Sequence, residues 1–230
     1  MKKFAAICDT SRIFNYPPII SILAALGLNE NNFKTIPIKG SLQLFCSSCD
    51  SYMGKDDIIG LLEKDNVKFD SIYLGNLSTI DDMNTVISFL DKFTTESTKI
   101  VVNPVMEDKS EEFVSALKIL IKRANVITPT YQEASILLGK DSGDKIATFE
   151  ELKDWVTDLS VMGPKDVLIT DVPDKNHEND TIVFSYDKET SAYWVIPSCY
   201  NKEAKFNFID VLTELIIKDS QLSQVMDNFI

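Results

Sequence analysis

The sequence predicts an α/β fold, with three αβα layers on a mostly parallel central sheet and a small antiparallel hairpin. Three observations predict it. Short apolar runs alternate with stretches of helical periodicity, the pattern of successive βα units. The apolar runs are rich in β-branched or aromatic residues and are flanked by turn formers. The stretch TIVFSYDKETSAYWVI, 181–196, alternates by twos on both sides of a polar turn and reads as a hairpin.

The elements follow in order. Strands are expected at 3–8, 33–38, 69–74, 98–102, 124–128 and 166–170. Helices are expected at 17–27, 55–65, 80–93, 110–122, 131–138 and 148–161, then near 206–217 and 220–229. Pro17 and Pro18 open the first helix and Gly27 closes it, the usual placement of these residues at helix ends. No repeat, low-complexity stretch or linker interrupts the chain, so residues 1–230 are expected to form a single domain.

Composition narrows the function. The net charge of −12 argues against a nucleic-acid or anionic-membrane partner, because phosphates need Lys and Arg to neutralise them. No run of 18 apolar residues exists to span a bilayer, and the segment MKKFAAICDTS has too short an apolar core for a signal peptide. A cytoplasmic location is the expectation. Cys46 and Cys49 form one C-x-x-C, but His177 is the only histidine, so a zinc site lacks ligands. The pair reads as two thiols in a reducing compartment. The same scarcity of histidine argues against Ser-His-Asp or Cys-His hydrolysis.

The strand ends hold the polar chemistry. The first ends in CDTS, the fourth in NPVMED, the fifth in TPTYQEAS and the sixth in ITDV. Open α/β sheets place ligands at the carboxyl ends of their strands. Acidic groups gathered there suggest magnesium, which prefers oxygen ligands, and magnesium with a hydroxyl-bearing substrate suggests phosphoryl transfer.

These segments carry a resemblance. VVNPVMEDK (101–109) resembles the DPVMGD segment of the pyridoxal and pyridoxamine kinases, and VITPTYQEASILLG (126–139) resembles their ITPNxxEAxxLLG. ICDTSRIF, FDSIYLGNL and VLITDV fall at the expected places, and the similarity runs in order over most of residues 1–217. The resemblance implies the vitamin-kinase branch of the ribokinase superfamily. It implies transfer of the γ-phosphate of ATP, with magnesium, to the hydroxymethyl group of a B6 vitamer, and a homodimer. It matches Ser11 to a serine near the substrate ring and Thr170 to a threonine beside the ATP phosphates. Asp108 and Glu133 match the acids that hold the metal. A hydroxymethylpyrimidine kinase shares the same motifs and is an alternative reading.

The same comparison shows departures. The family's GTGD motif before a late helix falls on Glu203, Ala204, Lys205 and Phe206. No glycine follows Gly163, so no glycine-built phosphate loop exists there. Phe206 cannot act as a base, and Asp210 stands one helical turn later, about 6 Å along the axis. No catalytic residue is therefore assigned. Asn103 and Glu107 replace the first acid and the glycine of DPVMGD, and the region near 41–52 lacks the glycine pair of the substrate loop. Weak or absent turnover is expected, and a non-catalytic binding or partner protein that keeps the kinase fold is the reading from another class.

Overall fold

The computed structural model describes residues 3–9, 34–39, 42–46, 58–106, 110–140, 146–175, 177, 180–197, 211, 215 and 220–226. Its frame is one nine-stranded sheet in the order β2-β3-β1-β4-β5-β6-β7-β8-β9. The strands are β1 (Phe4–Asp9), β2 (Lys34–Lys39), β3 (Leu42–Cys46), β4 (Ser71–Gly75), β5 (Lys99–Asn103), β6 (Val126–Ile127), β7 (Asp166–Pro173), β8 (Thr181–Asp187) and β9 (Ala192–Pro197). β1, β4, β5, β6 and β7 run parallel and form the centre. Antiparallel strands flank them on both sides.

The described helices are α1 (Ile58–Lys64), α2 (Ile80–Phe93), α3 (Glu111–Ile121), α4 (Tyr131–Leu138), α5 (Phe149–Val161) and α6 (Leu222–Met226). Alternation along each strand sends side chains to two faces, and each face has its own core. Ala5, Ile7, Ile72, Leu74, Ile100 and Val102 meet the apolar faces of α1 to α5. Phe4, Ala6, Tyr73, Val101 and Leu168 pack on the other face with Val211, Leu215 and α6. The expected three layers are thus present.

Local chemistry sets the helix starts. Thr79, Thr130 and Thr148 each cap a helix, and each exchanges hydrogen bonds with an acid three residues on, Asp82, Glu133 and Glu151. α2 and α4 occupy 80–93 and 131–138 as expected, and α3 and α5 differ by a residue at their ends. The expected helix at 17–27 lies outside the described residues. Of the expected helix near 206–217, residues 211 and 215 are described and helical.

The expected 181–196 hairpin is present as β8 and β9, and it continues the main sheet because β8 also pairs with β7. β7 runs on to Pro173 to make that pairing, three residues past the strand end that the sequence pattern places at Thr170. Two expectations are corrected. The region near 41–52, read as a substrate loop, contains strand β3, which pairs with both β1 and β2. Cys46, read as a thiol, is disulfide-bonded. It ends β3 and is buried, and its partner lies outside the described residues.

Candidate functional site at the carboxyl edge

Five parallel strands bring their carboxyl ends to one edge of the sheet. The end of β5 with the segment after it, Asn103 to Met106, and the segment after β6, Thr128 to Thr130, meet there. The meeting is made by Glu133. One of its carboxylate oxygens (Oε2) accepts the Thr130 N–H at 2.8 Å, and the other (Oε1) accepts the Met106 N–H at 3.2 Å. The first bond belongs to the capping box of α4, and the second ties the β5 loop to that helix start. Burial pushes the Glu133 carboxyl above its usual range, and Asp171 adds to the rise, while the Thr130 and Met106 contacts oppose it.

Thr170 stands at the same edge. Its N–H donates to the Pro129 carbonyl at 2.9 Å, and it forms an isolated parallel bridge with Thr130. Directly after it, the ladder to β8 shifts register between Ile169 and Val172. Asp171 occupies the shifted stretch with φ +53, a left-handed conformation that Asp tolerates better than most residues. The sequence places Glu133 and Thr170 at one edge, and the structure brings them together there. Ser11 and Asp108 lie outside the described residues, as does Asp210.

Asn103 stands where the resemblance puts an acid. Its side-chain amide donates to the Tyr73 hydroxyl at 3.1 Å. Cys8, Gly75 and Asn103 are register partners across β1, β4 and β5. The Tyr73 ring folds over Gly75, where a Cβ would stand 2.9 Å from the Tyr73 Cε1. Burial, set against the Asn103 hydrogen bond, pushes the Tyr73 hydroxyl up to about 12. Asn103 is thereby engaged in a neutral, part-buried contact.

Sequence reasoning misses Thr128. The residue is 2% exposed, and its hydroxyl has no hydrogen-bond partner among the described residues. An orphaned buried hydroxyl at a strand end is a signal for a ligand or an ordered water. It alternates onto the same sheet face as Val126, the face that carries Val211 and Leu215.

The donor set bears on a metal. Among the described residues no group of three or more His, Cys, Asp or Glu gathers to hold an ion. Each Glu133 oxygen is already hydrogen-bonded to the backbone, so its remaining lone pairs suit a water in a magnesium shell better than direct coordination.

The comparisons with known proteins fit this arrangement. The family model for phosphomethylpyrimidine kinase matches residues 62–203. No curated protein matches the chain. A Bacteroides thetaiotaomicron protein described as a phosphomethylpyrimidine kinase, crystallised with pyridoxal, is 27% identical, with a TM-score of 0.67 over 91% of this chain and 77% of its own. The ADP complex of Bacillus subtilis pyridoxal kinase is 22% identical, with a TM-score of 0.54 over 85% of this chain and 73% of its own. Staphylococcus aureus pyridoxal kinase in complex with AMP-PCP and pyridoxal is 18% identical, with a TM-score of 0.61 over 96% of this chain and 81% of its own. The last two likenesses are of fold alone.

Proposed function

The chain belongs to the phosphomethylpyrimidine kinase family, a family of kinases of the pyridoxal and hydroxymethylpyrimidine type, and from this we propose a homodimeric kinase-like protein that binds nucleotide and a hydroxymethyl-bearing pyridine or pyrimidine but turns them over slowly or not at all. The observation that carries the binding half is the convergence of Glu133 and Thr170 at the carboxyl edge of the sheet, joined through the Thr130–Thr170 bridge. In this reading Thr170 lies beside the nucleotide phosphates and Ser11 beside the substrate ring. Asp108 and Glu133 hold magnesium, Glu133 through water. Magnesium bound there supplies neutralising charge for the phosphates.

The sequence carries the other half. Phosphoryl transfer is mostly positioning and charge stabilisation, and it needs donors fixed in advance. No glycine follows Gly163, so the final 67 residues hold no glycine-built cradle. Asn103 also replaces an acid, and its amide is engaged with Tyr73.

The test is equilibrium binding, followed by the melting temperature of the chain with a non-hydrolysable ATP analogue and magnesium. At tenfold excess over Kd, binding adds about 1.4 kcal/mol of stability. An upward shift that falls in Thr170→Val supports the reading. No shift at millimolar analogue contradicts it.

A further inference from the structure

The opposite edge of the sheet, where the parallel strands begin, holds a cleft of about 190 Å³. Asp166 opens β7 and Asp187 closes β8, and the two are register partners directly across the ladder. Both residues line the cleft and both are buried, at 9% and 2% exposed. Like charges placed opposite each other on a sheet repel. One of the two is accommodated: an Asp187 oxygen accepts the N–H groups of Glu189 at 2.8 Å and Thr190 at 3.3 Å, closing the β8–β9 turn. The Asp166 carboxylate has no hydrogen bond among the described residues, although a buried carboxylate ordinarily has several.

We propose that this cleft is a binding site for a small primary ammonium ion, held by the Asp166 and Asp187 carboxylates. A primary ammonium has three donors and one positive charge, which suits the oxygens of Asp166 and the second oxygen of Asp187, none of them hydrogen-bonded among the described residues. A divalent metal fits less well. Three acids, Asp166, Asp187 and Glu189, line the cleft against Lys99 and Lys165, with Glu189 bound to Lys165 at 2.5 Å, so one net negative charge is left, which a monovalent cation balances and a divalent one exceeds. Hard cations need more oxygens than the two remaining carboxylates offer. Ser97 and Asn125 give the rim polar groups for a hydroxyl on the ligand.

A proton competes with the ligand for the same oxygens. Burial and Asp187 push the Asp166 carboxyl up to about 7, with Glu189 adding to the rise and Lys99 and Lys165 opposing it. Ammonium binding requires the ionised form, so affinity rises with pH through neutrality. A carboxyl titrating near 7 is about nine-tenths ionised at pH 8 and about one-tenth at pH 6, which sets the change at about tenfold.

The experiment is titration of the whole chain with ethanolamine at pH 8 and at pH 6, by calorimetry, with tetramethylammonium as a cation that has no N–H. Saturable binding of ethanolamine, about tenfold weaker at pH 6 and undetected for tetramethylammonium, is the expected result. Asp166→Asn removes binding and still folds, because no described hydrogen bond depends on that carboxylate; its melting curve verifies this. Equal binding of the two cations, unchanged binding in Asp166→Asn, or no binding of ethanolamine overturns the proposal. The site lies at the edge away from Glu133 and Thr170, so its failure leaves the kinase reading untouched.

Discussion

Glu133 accepts the Met106 N–H at 3.2 Å, a bond between groups 27 residues apart that fastens the loop after β5 to the start of α4. The same carboxylate caps its own helix through the Thr130 N–H. One side chain therefore sets the geometry of two loops at the candidate site. Glu133→Ala is expected to lower stability by about 1–3 kcal/mol, because two N–H groups lose a charged acceptor. The midpoint of urea unfolding measures this. A midpoint equal to that of the wild type contradicts the role.

Thr128 gives a prediction of opposite sign. Its buried hydroxyl has no partner among the described residues, and an unpaired buried polar group costs about 1–3 kcal/mol. Thr128→Val keeps the shape and removes the orphan, so it is expected to stabilise the ligand-free protein by about 1 kcal/mol. If nucleotide binding weakens in the same variant, Thr128 faces the ligand. A loss of stability in the ligand-free protein shows that the hydroxyl has a partner and is not an orphan.

Much of the fold is legible in the amino-acid order. The bounds of α2 and α4 follow from it because capping threonines and apolar periodicity agree there. The T-x-x-E box at Thr130 and Glu133 is itself visible in TPTYQE and gives Glu133 a structural role that the motif resemblance alone does not suggest. β3 escapes because five residues, LQLFC, are too short for alternation to stand out, and β1, one of its partners, lies far away in the chain. The pairing of Asp166 with Asp187 depends on the register of β7 against β8, which no local pattern encodes. The orphan state of Thr128 is likewise a property of packing. Ser11 and Asp108, proposed from motif position, remain proposals that rest on the sequence.

Asp166 predicts how stability varies with pH. Its folded pKa of about 7 lies above the ordinary 3.8, so the folded state prefers the protonated form. The stability this contributes is fully present below about pH 4 and is lost as pH rises through about 7, a change on the order of 2–4 kcal/mol. Asp166→Asn is expected to flatten that slope and to be more stable than the wild type at pH 8. Chemical unfolding at pH 5 and pH 8 compares the two. Identical slopes in the two proteins contradict the burial of a carboxyl that Lys99 and Lys165 compensate only in part.

Assembly is tested by mass. The proposed homodimer should appear at twice the 25.9 kDa chain mass in light scattering at micromolar concentration. A monomer mass at that concentration contradicts it.

In the function proposed above, the chain keeps the kinase fold and its ligand edge without the groups that make transfer fast. Losing one oxyanion donor costs about 10²–10³ in rate, and losing a general base about 10²–10⁴. Such losses do not simply multiply when the groups act as a unit. The direct measurement is steady-state phosphorylation of pyridoxal and of hydroxymethylpyrimidine with saturating ATP and magnesium. Turnover below about 10⁻² per second is expected for both, against the roughly 1–10³ per second of ordinary enzymes. Turnover near one per second with either substrate would contradict it, and would mean that Asp210 or another group performs the base's work.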